Sequence, residues 1–167
     1  MCRLNARDDE HSRHPTPKQE AGGLRQAQWF NFPAEEVFMP LVQVSVIGEK
    51  SPQEKTDIMN AVHGALVDAF GIPEHDRNIR LRSYAPGEWM LPPGKTERYV
   101  LVEIAAFAGR TPETKGKLFS QVVANLGALG IEPGDVFVIV VDQPLHNWGI
   151  RGGQRADLVD LGYSVKV

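Results

Sequence analysis

Residues 41–84 read LVQVSVIGEKSPQEKTDIMNAVHGALVDAFGIPEHDRNIRLRSY and show the sequence pattern of a strand, a helix and a second strand. The same pattern is repeated later in the chain. The pentapeptide SPQEK that starts at Ser51 has its counterpart in TPETK, which starts at Thr111, 60 positions further on. Asp76 returns as Asp135 after 59 positions. Repetition at a nearly constant spacing indicates that one supersecondary unit has been duplicated.

Both copies carry the signals of an amphipathic helix. Ser51 suits the N-cap, Pro52 suits the first helical position, and Glu54 completes a capping box. Gly71 suits the C-terminal stop, and Thr111 caps the second helix in the same way. Apolar residues recur every four positions at Ile58, Val62, Leu66 and Phe70 in the first copy and at Leu118, Val122 and Leu126 in the second.

Two strand–helix–strand units with right-handed crossovers predict an α+β fold, a two-layer sandwich in which a four-stranded sheet carries two helices on one face. We assign residues 40–167 to this domain, made of repeats 40–84 and 99–141 and a closing segment, 142–167. The continuous apolar run Val136–Val141 predicts a fully buried strand. Because nothing in the chain obviously covers the second face of the sheet, we expect several copies to pack these faces together.

Composition narrows the class of function. Hydrophobic residues make up 42% and charged residues 23% of 167 positions, as in soluble globular proteins. The net charge is −3 and the chain has no basic stripe lined with aromatic residues, so there is no reason to expect nucleic acid as a partner. No apolar run approaches the length of about 20 residues that a membrane helix needs.

The single cysteine, Cys2, provides no disulfide framework, which fits a reducing, cytoplasmic compartment. His63, His75 and His146 lack metal-ligand spacing, so we expect no metal site.

Residues 1–39 differ in character from the rest. Residues 1–28 are rich in charged and polar side chains without an apolar period, which predicts disorder. One interpretation is a mis-assigned translation start, since residues 35–37 can be encoded by a purine-rich ribosome-binding sequence shortly before the codon of Met39. The other is a genuine tail whose aromatic end docks on the domain. If Met39 were the start and were removed, Pro40 would carry a free secondary amine; otherwise its nitrogen is an amide.

Several motifs, in this order and spacing, resemble the tautomerase superfamily, which includes 4-oxalocrotonate tautomerase, macrophage migration inhibitory factor and malonate semialdehyde decarboxylase. The matching segments are Met39-Pro40-Leu41, the SPQEK helix start, Ala69-Phe70-Gly71-Ile72-Pro73 with Asp76-Arg77, Phe107-Ala108-Gly109-Arg110-Thr111, and Asn147-Trp148-Gly149 followed by Arg151-Gly152-Gly153. The resemblance spans about Pro40 to Leu161. It implies a homotrimer without cofactor, whose sites lie at the edges of the assembly, contain an N-terminal proline and receive residues from a neighbouring subunit.

The resemblance implies roles for three residues. Pro40 becomes the catalytic amine, Arg110 binds a substrate carboxylate, and Asp76 matches the position that activates water in decarboxylase-like members. Family members often have a second arginine two residues before this one, and the decarboxylases bind the substrate anion with both arginines. This chain has Ala108 at that position, so it lacks the second arginine. Each of the three residues also has a structural alternative. Pro40 is then an internal proline that opens an edge strand, and Arg110 is a surface arginine before a helix cap. Asp76 then caps its own turn, as its repeat partner Asp135 suggests.

The surroundings of an N-terminal amine decide its chemistry. Proton abstraction beside a carbonyl needs a base whose pKa lies near ambient pH, and an α-amino group titrates at about 7.7–8.0. Burial and a nearby Arg110 disfavour the ammonium form, whereas a nearby Asp76 carboxylate favours it. This balance separates a tautomerase from a hydratase-like decarboxylase or dehalogenase, and the sequence leaves it open.

Four further residues are candidates for substrate binding. Arg80 and Arg82 alternate with aliphatic residues, so on a strand they share one face. They supply a second cation at a subunit interface, or they only line a solvated strand face. Asn147 and Trp148 lie in the segment that closes active sites in related proteins, with ordinary packing of the C-terminal tail as the alternative. The linker between the repeats, residues 83–98, is a lid or a hairpin, and we expect it to hold the substrate determinants.

The resemblance, together with these candidate residues, implies a cofactor-independent tautomerase or isomerase that moves a proton in a small 2-oxo or 2-hydroxydienoate-type acid, with Pro40 as general base and acid. One alternative is a decarboxylase or dehalogenase that adds water to a three-carbon acid. The other, if residues 1–39 are retained, is a catalytically inactive trimeric binding protein.

Overall fold

A computed structural model of the chain describes residues 40–161, so the predictions for residues 1–39 and for the end of the closing segment, 162–167, lie outside the described part. The elements follow the predicted order: β1 (Leu41–Ile47), α1 (Pro52–Phe70), β2 (Ile79–Tyr84), β3 (Val100–Phe107), α2 (Pro112–Gly127) and β4 (Val136–Gln143). A two-stranded ribbon of β5 (Gly149–Ile150) and β6 (Gln154–Arg155) follows. The predicted α+β fold of two tandem units is confirmed.

Both helices begin where the sequence signals place them. The Ser51 hydroxyl accepts a hydrogen bond from the Glu54 amide at 3.2 Å, and the Ser51 amide donates to the Glu54 carboxylate at 2.8 Å. Gly71 ends α1 with a φ of 65°, a left-handed conformation that a residue with a Cβ adopts only under strain. Thr111 caps α2 by accepting from the Thr114 amide at 3.2 Å. Neither helix is long and apolar enough to cross a membrane, a finding that covers residues 40–161.

The sheet has the strand order β2-β1-β3-β4. β1 is parallel to β2 and antiparallel to β3, and β3 is parallel to β4. β1 is therefore a central strand, and the alternative in which Pro40 opens an edge strand was wrong. Proline is tolerated in this position because it precedes the first residue of the strand and lies at the end of the ladder.

The core lies between the helices and one face of the sheet. The predicted helical stripes face it, and each of their seven residues is at most 5% exposed. The sheet contributes Val42, Val44 and Val46 from β1 and Val100, Val102, Ile104 and Ala106 from β3. Burial of such a side chain is worth about 1.5–3 kcal/mol, so this single contiguous cluster is the main source of the domain's stability.

β4 departs from the prediction. It is an edge strand, and Val136, Val138 and Val140 pack against the core while the alternate residues face away from it. Phe137 is 53% exposed and Ile139 and Val141 are each 42% exposed. The prediction of a fully buried strand was therefore wrong for the single chain. An apolar run does not show whether both of its faces have neighbours within one molecule.

The second face of the sheet is partly covered at each end. At one end, Trp89 of the linker packs edge-on against Tyr84 and Tyr99, with ring centroids 5.3 and 5.4 Å apart. The first two residues of the linker end β2 and residues 85–98 form no strand, so the hairpin alternative was wrong. At the other end Phe107 and Ala156 form a second small core, packed against Leu145, Trp148, Ile150 and Leu161. The middle of this face, including the exposed side of β4, is left open.

Asp135 shows how the second copy uses the repeated aspartate. Its carboxylate is buried and accepts hydrogen bonds from the Thr96 hydroxyl and, at 2.8 Å, from the Thr96 amide. The hydroxyl bond, followed by the amide bond, lowers the pKa of the Asp135 carboxyl below its usual value. Asp135 therefore ties the linker to the turn before β4 and has a structural role.

Asp135→Asn should lower the free energy of unfolding at neutral pH, because the amide is a weaker acceptor for the two Thr96 donors. The folded-state pKa of Asp135 lies below that of the unfolded chain, about 3.9. The stabilisation is therefore complete above the unfolded-state value and is lost as pH falls through the folded-state value. Urea unfolding of wild type and variant at neutral and strongly acidic pH measures the difference, which should shrink in acid.

Asp142→Asn is the matched control, since it removes the same charge from an exposed ion pair with Lys115. Such pairs contribute little to stability. Equal losses in the two variants, or a loss in Asp135→Asn that persists unchanged in acid, would contradict the assignment.

Candidate active site

Strand register brings three sequence-predicted residues to one edge of the sheet. This edge is formed by the ends of the strands, where β1 and β2 start and where β3 and β4 finish. The Val42 amide donates to the Asn78 carbonyl at 3.0 Å where β1 and β2 start, so Pro40 and Asp76 both lie just beyond these parallel strands. β3 is antiparallel to β1 and ends at the same edge, with Arg110 three residues after its last residue. Pro40, Asp76 and Arg110 are all buried.

Arg110 is held by contacts on two sides. Its Nη1 donates to the carbonyl oxygen of Phe107 at 2.9 Å, and its Cζ lies 4.3 Å from the centroid of the Phe70 ring at the end of α1. A guanidinium over an aromatic face is attracted by the ring quadrupole. Only 6% of Arg110 is exposed, so it is not the surface arginine of the alternative interpretation. This charge has a defined position at the edge of the sheet.

Asp76 lies in the turn between α1 and β2 and is 3% exposed. Its amide donates to the Pro73 carbonyl at 3.0 Å, as the Asp135 amide does to the Glu132 carbonyl at 2.9 Å. The two turns thus share a backbone hydrogen bond. The carboxylate of Asp135 is engaged by Thr96, which belongs to a linker with no counterpart before β1 in the described residues. The repeat therefore does not assign to Asp76 the structural role of its partner.

The C-terminal segment reaches the same edge. The Trp148 ring lies edge-on to Phe107 with centroids 5.2 Å apart, and its indole N–H points to the Gln143 carbonyl at 3.4 Å. The Asn147 side chain donates to the Gln143 side chain at 3.0 Å. Trp148 therefore adjoins β3, the strand that leads to Arg110, whereas Asn147 adjoins the end of β4. Their role in substrate binding remains a prediction.

Arg80 and Arg82 lie elsewhere. Both are exposed on the open face of the sheet. Arg80 Nε donates to Gln43 Oε1 at 2.7 Å, and Arg82 lies 4.8 Å from the centroid of the Tyr84 ring. Within one chain they do not join Arg110. Their predicted role in substrate binding depends on contact with a neighbouring copy.

Two residues near this edge escaped the sequence reasoning. Phe70 was assigned to the core stripe alone, although it also supports the guanidinium of Arg110. His63 was dismissed for lack of metal-ligand spacing, yet it is buried and its Nε2 lies 2.9 Å from the carbonyl oxygen of Glu74. The available signal was a histidine directly beside the apolar stripe of α1, and it is the one polar side chain among the buried residues that the structure gives for this helix.

Comparison with known families gives two matches, both to models described as tautomerase enzyme. One covers residues 40–95 and the other covers residues 76–151, so that together they span both repeats. The first match begins at Pro40, the residue before β1.

Solved structures resemble most of the described domain. A malonate semialdehyde decarboxylase with decarboxylase and hydratase activities is 28% identical, with a TM-score of 0.63 over 70% of this chain and 94% of that one. Another malonate semialdehyde decarboxylase, inhibited by 3-bromopropiolate, is 28% identical, with a TM-score of 0.61 over 65% and 86%. A fused 4-OT symmetric trimer is 28% identical, with a TM-score of 0.63 over 70% and 96%. By its tandem fold, its family matches and these likenesses, the chain belongs to the tautomerase superfamily.

Proposed function

We propose that this chain is a cofactor-independent acid–base enzyme that moves a proton in a small 2-oxo or 2-hydroxydienoate-type acid, and that its active form begins at Pro40. The convergence of Pro40 and the buried Arg110 on one edge of the sheet carries the proposal. The family match that starts at Pro40 supports an N-terminal role for this residue.

The amine of an N-terminal proline supplies both halves of the reaction. Its lone pair accepts a proton from a carbon or enol oxygen of the substrate, and the electron pair left behind delocalises onto the carbonyl. The resulting ammonium returns the proton at another carbon, so nothing is consumed. An α-amino group titrates at about 7.7–8.0, close enough to neutral pH for both steps. A proline nitrogen within a peptide bond has neither a proton nor a basic lone pair.

Arg110 holds the substrate carboxylate in this proposal. The planar guanidinium matches two carboxylate oxygens and stabilises negative charge that develops on the adjacent carbonyl. The Phe107 carbonyl and the Phe70 ring restrict its orientation before substrate binds. Such preorganisation contributes to catalysis because the charge need not reorient during the reaction.

The first test compares two forms of the protein. A chain that begins at Pro40 should catalyse enol–keto conversion and should gain mass with 3-bromopropiolate, which we expect to react with the free amine. A chain that begins at Met1 should do neither, because its Pro40 nitrogen is an amide. Ultraviolet assay of ketonisation and intact-mass spectrometry measure the two effects, and the mass of the native protein identifies the form that cells contain.

Pro40→Ala in the short form is the accompanying variant. It exchanges the secondary amine, which the proline ring holds in place, for a primary amine that is free to rotate, and kcat should fall by about 10²-fold because a small misplacement of a catalytic group has an effect of this size. Full turnover in this variant would sink the mechanism. A native chain starting at Met1, without turnover or labelling, would instead support a binding protein.

Addition of water to a three-carbon acid is a second candidate, favoured by one observation. Asp76 is a buried carboxylate at the same edge as Pro40, and the 28%-identical malonate semialdehyde decarboxylase has hydratase activity. The Asp76 carboxylate would take a proton from water as the new C–O bond forms. The ammonium of Pro40 would give its proton to the neighbouring carbon, which balances the addition.

Asp76→Asn should separate the two reactions. Ketonisation should stay within about threefold of wild type, whereas hydration of a three-carbon halo-acid should fall by about 10²-fold or more, since the base is lost. Steady-state rates of the short form with both substrates provide the measurement. Asp57→Asn, at the far end of α1, is the charge-matched control and should affect neither. Equal losses in both reactions would contradict a separate role for Asp76.

We propose a homotrimer as the assembly, supported by the apolar residues exposed on β4 and by the trimeric fused 4-OT. Ile139→Lys should dissociate it, because a charge would replace an apolar contact between copies. Light scattering coupled to gel filtration measures the mass. Phe119→Lys, at an exposed position of α2 away from the sheet, is the control and should leave the mass unchanged. A trimer that survives Ile139→Lys would place the interface elsewhere.

A further inference from the structure

His63 is a buried polar side chain in the middle of α1. It is 3% exposed and lies next to Val62, a residue of the apolar stripe. Its Nε2 lies 2.9 Å from the carbonyl oxygen of Glu74, in the turn between α1 and β2. Because a carbonyl oxygen only accepts hydrogen bonds, Nε2 carries a proton and donates it. Nδ1 is also buried and has no hydrogen-bond partner within residues 40–161.

A second hydrogen bond reaches the same carbonyl. Arg77 Nε donates to Glu74 O at 3.2 Å, and Arg77 Nη1 donates to the side-chain oxygen of Asn60 at 2.8 Å. Asn60 belongs to α1, as His63 does. The turn is therefore tied to the helix at Glu74, two residues before Asp76.

A leucine in place of His63 would pack against the apolar stripe without leaving a buried nitrogen unsatisfied. Packing alone therefore does not explain a histidine here. The hydrogen bond to the turn does explain it, because the imidazole reaches from the helix to the Glu74 carbonyl and donates a hydrogen bond there.

The second repeat shows the contrast. The position equivalent to His63 is Val123, which has no polar group. There the turn is secured through the aspartate itself, since Thr96 engages the Asp135 carboxylate. In the first repeat the anchor is the backbone carbonyl of Glu74. This anchor does not use the Asp76 carboxylate.

We infer that His63 is a positioning residue, which holds residues 71–78 against α1 so that the Asp76 carboxylate stays at the edge occupied by Pro40. The inference rests on the proposed water-adding role of Asp76. The guanidinium of Arg110 is supported by Phe70, which belongs to α1 and not to the turn. Loss of the His63 hydrogen bond should therefore impair water addition while leaving carboxylate binding and ketonisation largely intact.

Three variants of the short form test this. His63→Leu removes the donor, and His63→Gln keeps an N–H at a similar reach. Asn125→Leu is the matched control, because its side chain donates to the Ala61 carbonyl at 2.9 Å, a bond of the same kind between the two helices. His63→Leu should lower kcat for hydration by about tenfold to a hundredfold, since small misplacement of a catalytic group has effects of this size. Its KM, its ketonisation rate and both rates of Asn125→Leu should stay within about threefold, and His63→Gln should restore much of the lost rate.

Amide hydrogen exchange tests the same inference without any turnover. The amides of Asp76 and Arg77 donate to the Pro73 and His75 carbonyls, and His63→Leu should lower their protection while Asn125→Leu should not. Unchanged protection would overturn the anchoring role whether or not the protein hydrates anything. Lowered protection with an unchanged ratio of hydration to ketonisation would overturn the positioning role. If wild type shows no hydration, the proposed role of Asp76 fails, and the exchange result alone then decides whether His63 anchors the turn.

Discussion

The antiparallel pairing of β1 with β3 is the constraint on which the rest of the structure depends. Within one strand–helix–strand unit alone both strands are edge strands, and the pairing of β1 with β3 joins the two units into a single sheet over one core. It also reverses one repeat relative to the other. The start of the first repeat and the end of β3 consequently share an edge, and Pro40 and Arg110 both lie at this edge although 69 residues separate them.

The same pairing creates a second, opposite edge that is a modified copy of the first. Lys50 follows β1 as Arg110 follows β3, and its Nζ donates to the Ile47 carbonyl at 2.7 Å, as Arg110 donates to Phe107. The copies then diverge. At the second edge the strand after the linker starts from a peptide-bonded Tyr99, and Thr96 engages the repeated aspartate Asp135. A duplicated fold thus offers two similar places, and the residues at each place have diverged.

Sequence reasoning succeeded where the signals act over short distances. The caps at Ser51 and Thr111, the stop at Gly71 and the helical stripes were all predicted, because each depends on residues within one or two helical turns. It failed for β4, where apolar content alone was taken to mean burial on both faces. For the linker it left a lid and a hairpin open, and only the hairpin was wrong, since aromatic ring contacts take the place of strand pairing.

The sequence by itself determined the two repeats, their elements and the residues with the chemistry of a candidate site, since the spacing of caps and stripes follows from backbone geometry. Only the tertiary structure decided which of those residues lie at the same edge of the sheet. Sheet order brings Asp76 and Arg110 to the edge of Pro40 and leaves Arg80 and Arg82 on the open face. The tertiary structure also brings the Phe70 ring against the guanidinium of Arg110. The turn between α1 and β2 brings the Glu74 carbonyl to His63. Such contacts join residues far apart along the chain, and their free energy depends on packing and burial that no local pattern records.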